Sequence, residues 1–121
     1  MPADARRALG AAGEEAVARW YIGAGYQVLD RNWRCREGEL DLVVARPGTV
    51  VFCEVKTRRS TNFGVPAEAV TATKQRRLRT LAARWLAAHP EARARELRFD
   101  VAAVLAARAA APVIDVIEAA F

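Results

Sequence analysis

Apolar positions recur along this chain with two periods, and the changes between them mark its elements. Over residues 5–23, Leu9, Gly13, Ala16, Val17 and Trp20 return at helical spacing, followed by Ala24. They form one apolar stripe that stops at Gly23-Ala24-Gly25, the stop signal of a packed helix. Residues 26–29 read as a first strand, with Arg31-Asn32-Trp33-Arg34 continuing it or turning out of it. Residues 40–45 form a second strand, Pro47-Gly48 a turn, and residues 50–56 a third strand. The polar stretch 57–65, with Ser60, Thr61, Asn62 and Gly64, reads as a loop.

A second helix follows. Thr71 suits its N-cap, and Val70, Lys74, Leu78, Leu81 and Trp85 make its stripe. His89-Pro90 ends it, because the residue before proline disfavours helical backbone. After a polar linker, residues 97–105 form a fourth strand and residues 113–117 a short fifth. The order is αβββαββ, which predicts an α/β fold with a mixed sheet flanked by helices.

Composition narrows the class. A chain of 121 residues, 53% hydrophobic and 27% charged, fits one folded domain over residues 1–121 with a real core. Charges interrupt every apolar run before a membrane span is reached, and no secretory leader follows the N-terminal Met1-Pro2, so a cytoplasmic location is expected. Cys35 and Cys53 lack zinc spacing, and the single histidine, His89, stands beside Pro90. Cys53 reads as a small buried hydrophobe, and a disulfide to Cys35 is disfavoured in the cytosol.

A net charge of +5 directs attention to acidic partners, of which nucleic acid is the commonest. The charge is also localised. Lys56, Arg58, Arg59, Lys74, Arg76, Arg77, Arg79 and Arg84 face a single acid, Glu68, within that stretch. A solvated helix face is the bland alternative. Of the 19 basic residues, 17 are arginine, and the two lysines are Lys56 and Lys74. A lysine is a compact charge whose pKa can be tuned, whereas arginine is a permanently charged fork.

Lys56 belongs to a constellation. Side chains two apart share a strand face, so Glu39 and Asp41 are expected to point together from the second strand, and Glu54 and Lys56 from the third. If the strands pair across Pro47-Gly48, these groups converge above Val43 and Phe52. Burying carboxylates costs several kcal/mol unless they are paired or bind a metal. A hard cation such as Mg²⁺ or Mn²⁺ would be held by Asp41, Glu54 and the Val55 carbonyl, with Lys56 orienting an attacking water. Glu14, on the shoulder of the first helix's stripe, could join as a further ligand, while Glu15 points away. Lys74 falls within the second helix's stripe and is expected to face the sheet, or to snorkel along its edge. The competing reading is structural, with Glu54 pairing Lys56, and Glu39 and Asp41 capping a turn near Gly38. Trp20 and Trp85 read as core, Trp33 as packing at a strand end, and Arg98 with Asp100 as a structural pair.

Gly10-x-x-Gly13-Glu14, Gly25-Tyr26, Arg31-Asn32-Trp33-Arg34, Gly38-Glu39-Leu40-Asp41-Leu42, Phe52-x-Glu54-Val55-Lys56-x-Arg58, Phe63-Gly64, Lys74-Gln75, Arg98-Phe99-Asp100-Val101 and Ala120-Phe121 together resemble the YraN family. The likeness spans nearly the whole chain. It implies a restriction-endonuclease-like fold of the PD-(D/E)xK type, similar to archaeal Holliday-junction resolvases. It also implies Asp41, Glu54 and Lys56 as the nuclease motif, Glu14 as the helix carboxylate and Lys74 as an auxiliary lysine. Leu40 stands where such motifs often carry proline, and Glu39 is the family's own addition. The expected activity is a metal-dependent DNA endonuclease, with branched or damaged DNA as substrate by analogy. Arg58, Arg59, Lys74, Arg76, Arg77 and Arg79 would hold the backbone without reading sequence. The alternatives are a non-catalytic nucleic-acid-binding module on the same fold and an interaction protein with an acidic protein partner. A homodimer would suit a two-stranded substrate.

Overall fold

A computed structural model describes residues 3–59, 70–106 and 111–121. Helix α1 spans Ala3–Gly23, and strands β1 (Gln27–Cys35), β2 (Gly38–Arg46) and β3 (Thr49–Arg58) follow. Helix α2 spans Ala72–Ala88, before β4 (Glu96–Leu105) and β5 (Val113–Ile117). This is the predicted α/β order, αβββαββ. The expected loop over residues 57–65 begins late, since Thr57 and Arg58 still belong to β3, and residues 60–69 lie outside the described residues. Among the described residues no helix is long and apolar enough to cross a membrane.

The strands lie in chain order, β1-β2-β3-β4-β5. The first three form an antiparallel meander. Its second turn is made by Pro47 and Gly48, the latter at φ 85, a conformation that glycine adopts without steric penalty. β4 pairs parallel to β3 and β5 antiparallel to β4. A parallel neighbour needs a crossover rather than a hairpin, and α2 lies within that connection. Thr71 caps α2, its hydroxyl accepting the Lys74 amide, and His89 ends it.

The helices cover opposite faces of the sheet. Val17 and Tyr21 of α1 pack with Leu42, Val44, Val51 and Cys53. Leu78, Leu81 and Trp85 of α2 pack with Leu40, Val43, Val50 and Phe52 on the other side. β3 is therefore buried on both faces from Thr49 to Cys53, as expected for a central strand with a parallel neighbour. Cys53 is buried and both cysteines are free. Trp33 packs against the α2-side core.

The buried face of α1 differs from the predicted stripe. Gly13, Val17, Ala18 and Tyr21 are buried, whereas Trp20 is 37% exposed. The helix is turned by a polar contact that hydrophobic periodicity does not register. The Tyr21 hydroxyl donates to Asp100 Oδ2 at 2.6 Å, inside the core. Arg98 donates to both Asp100 oxygens, at 2.8 and 2.9 Å, and to the Tyr26 hydroxyl at 3.0 Å. The Ala119 amide donates to Asp100 Oδ1 at 3.0 Å. Arg98 and Asp100 are thus the expected pair, buried and fully bonded.

Gly13 sets how closely α1 approaches β3. A Cβ added there would lie 1.9 Å from Thr57 Oγ1. Gly13→Ala is therefore expected to lower stability by about 1–2 kcal/mol, the overpacking penalty exceeding the roughly 1 kcal/mol gain in helix propensity. Adding Thr57→Ala should recover most of the loss, and urea unfolding of the single and double variants measures both effects.

A carboxylate-lined sheet edge

The site residues collect where β2 and β3 part. Their ladder runs from Arg46–Thr49 to Leu42–Cys53 and goes no further. Beyond it the Val55 amide is bonded by a side chain, donating to Asp41 Oδ2 at 2.9 Å. β1 and β2 are irregular at the same level. Arg31 pairs with Leu42, on the α1 side, and Trp33 pairs with Leu40, on the α2 side. Both strands change face across Asn32 and Asp41, and Asn32 adopts a left-handed backbone at φ 51.

This step corrects the expectation that Glu39 and Asp41 share a face. Glu39, Glu54 and Lys56 line a hollow of about 280 Å³ on the α2 side, together with Lys74 and Arg77 of α2. Asp41 and Glu14 line a separate hollow of about 200 Å³ on the α1 side, with Asn32. The two hollows lie on either side of one sheet edge, close enough for their charges to interact. Burial, then the Glu54 carboxylate, then Glu14 and Glu39, push Asp41 up to about 7, against the opposing hydrogen bond from Val55. Glu14 is raised by burial first and by Glu39 and Glu54, while a hydrogen bond from Asn32 opposes the rise. Glu15 is lowered, chiefly by the Arg31 guanidinium, with which it pairs, and by Arg19.

Lys56 Nζ lies 3.3 Å from Glu54 Oε1, both side chains partly exposed. Glu39 accepts from Arg34 at 3.1 Å. Of the two placements expected for Lys74, facing the sheet or running along its edge, the structure shows the second. It is exposed at the rim of the α2-side hollow. The basic residues proposed for nucleic acid divide. Arg77 lines the hollow, Arg76 bonds Thr73 at 3.3 Å, and Arg58 and Arg59 leave the end of β3. Arg79 instead lies over the Phe99 and Phe121 rings, at 5.9 and 5.4 Å from their centroids. Asn32 was not singled out from the sequence as a site residue. Its signals are its place in the Arg31-Asn32-Trp33-Arg34 motif and an asparagine within a strand-like run, a residue that tolerates left-handed backbone.

Among the described residues no three acidic, histidine or cysteine side chains stand together as a ready metal cage. The donor set is carboxylates on both sides of an open edge. That chemistry fits Mg²⁺ or Mn²⁺ better than a softer metal, because Mg²⁺ commonly takes one or two carboxylates and completes its shell with water and substrate oxygens.

The fold and edge define a small α/β protein with crowded carboxylates beside a basic helix. The chain belongs to the uncharacterised protein family UPF0102, whose model matches residues 13–104. A UPF0102 protein from Beutenbergia cavernae is 56% identical over 111 residues, covering 92% of this chain and 93% of its own. Relatives from Frankia alni (56% over 104 residues, 86% of each chain) and Nocardia farcinica (51% over 116 residues, 96% of this chain and 91% of its own) carry the same family description.

The raised Asp41 carboxyl makes stability depend on pH. The folded protein holds this proton more tightly than the unfolded chain, where aspartate titrates near pH ~4. The group's contribution to stability is therefore full below about pH 4 and is lost as pH rises towards about 7. Asp41→Asn keeps an oxygen for the Val55 amide and removes the charge. It is expected to raise the melting temperature of metal-free protein by a few degrees at mildly alkaline pH and to flatten that dependence. Glu54→Gln should move the Asp41 titration downward, as read from its carboxyl ¹³C shift.

Proposed function

We propose that this protein is a metal-dependent nuclease that hydrolyses phosphodiester bonds in DNA. The observation that carries the reading is the placing of Asp41 and Glu14 on one side of a sheet edge and of Glu54 and Glu39 on the other, near enough that burial and then the Glu54 charge raise the Asp41 carboxyl to about 7, with Lys56 beside Glu54. Such crowding opposes folding unless a cation relieves it.

Asp41 and Glu54, with Glu14 and the Val55 carbonyl, would hold Mg²⁺ or Mn²⁺. A bound cation supplies Lewis acidity and neutralises charge on the phosphate. Lys56, held by Glu54, orients the attacking water and stabilises negative charge developing on the phosphate oxygens. Water oxygen bonds to phosphorus as the bond to the leaving oxygen breaks, and the proton released by the water passes to solvent or a neighbouring base. Lys74 and Arg77 bind flanking phosphates in the α2-side hollow, and Arg58, Arg59 and Arg76 extend the basic surface. These contacts position DNA without reading its sequence. The αβββαββ order and the resemblance to PD-(D/E)xK nucleases support the reading, and a fold alone does not confer a reaction.

Labelled single-stranded, duplex, flap and four-way-junction DNAs, incubated with Mg²⁺ or Mn²⁺, test it. Wild type is expected to cut at least one class. Glu54→Gln should abolish cutting while leaving salt-sensitive binding largely unchanged. Lys56→Arg should keep the charge yet lose about a hundredfold or more in rate. Binding without cutting under every condition would replace this reading with the non-catalytic module.

A further inference from the structure

Consecutive residues of β1 reach consecutive residues of α1. Arg31 pairs with Glu15, and Asn32 lines one hollow with Glu14 and Asp41, where it acts on the Glu14 carboxyl. In a regular strand, neighbouring side chains point to opposite faces, so both could not meet the same helix. They do so because Asn32 departs from extended backbone, at φ 51. Apart from glycine, asparagine is among the few residues that adopt this conformation readily. Asn32 also falls between the Arg31–Leu42 and Trp33–Leu40 pairs, opposite Asp41, and lines the same hollow as Asp41 and Glu14. Backbone in a sparsely populated region within a strand is found where a site needs a side chain aimed out of register.

We propose that Asn32 is a positioning residue for divalent metal: its left-handed backbone aims its amide at Glu14 and holds that carboxylate towards Asp41. This rests on the metal-dependent reading above. The amide is a donor to a carboxylate, so it both fixes the Glu14 rotamer and favours the charged form that a cation requires. Removal of an outer partner of this kind typically costs about 10- to 100-fold in metal affinity.

The test is Mn²⁺ affinity by electron paramagnetic resonance, without DNA, for wild type, Asn32→Gly, Glu14→Gln and the double variant. Glycine tolerates the same backbone, so Asn32→Gly should melt at or above the wild-type temperature and report the amide alone. It is expected to weaken Mn²⁺ binding about tenfold or more in the natural chain and to have no further effect when Glu14 is already Gln. Asn32→Asp, which replaces the donor with an acceptor, should not restore affinity. Equal losses from Asn32→Gly in both backgrounds, or no loss in either, would overturn the assignment. If Asn32→Gly is silent while Glu14→Gln weakens binding, only the role of Asn32 fails. If wild type binds no Mn²⁺, the metal-dependent reading fails and the assignment with it.

Discussion

The buried Asp100 carboxylate is the interaction on which the rest of the molecule depends. It stands on β4 almost wholly out of water and accepts hydrogen bonds from Tyr21, Arg98 and the Ala119 amide. A buried ion pair adds little over a well-packed apolar substitute, but removing one partner costs about 3–5 kcal/mol because the other charge is left uncompensated. Among the described residues no buried side-chain polar atom lacks a partner, so the knot is complete. Its consequence is geometric. Tyr21 lies two helical turns beyond Glu14, on the same side of α1, so the bond to Asp100 fixes the rotation that brings Glu14 to the sheet edge.

Apolar burial and crowded charge meet at that edge. The middle of β3 is apolar on both faces and supplies the core, whereas its last residues carry Glu54 and Lys56 into partial exposure. The same strand thus changes from an apolar core element to a charged rim where its antiparallel partner leaves it. The Asp41 bond to the Val55 amide keeps the separated strands in register across the gap. It also uses one carboxylate oxygen on the fold, so the crowded acids are partly structural before any ligand arrives.

Much of this architecture is legible in the sequence, because the two hydrophobic periods are strong and the turns carry proline and glycine. Thr71 and His89 bound α2 as expected, and β5 occupies the residues its pattern indicates. That Asp41, Glu54 and Glu14 lie near one another is legible because acids in apolar strands and on helix shoulders are expensive to keep, and Lys56 lies beside Glu54 because residues two apart share a strand face. Trp20 resisted, since an apolar stripe gives a helix's preferred side only to within a residue or so. For α1 the choice was made by a tyrosine hydroxyl. The separation of Glu39 from Asp41 was illegible for a different reason. Strand alternation assumes regular backbone, and nothing in a pattern of apolar residues announces where it steps.

That step has a further consequence at the margin of the sheet. β1 is an edge strand, and a long, regular, exposed edge is a template on which another chain can add. Here the register slips between Val28 and Asp30, and Asn32 breaks the extended backbone again three residues after Leu29. Arg31 and Arg34 add charge along the same border. Bulged and charged edges are poor templates for strand addition. The distortion that shapes the acidic hollow therefore also makes β1 a poor edge for another strand to pair with, and smoothing it towards ideal strand geometry would restore that template.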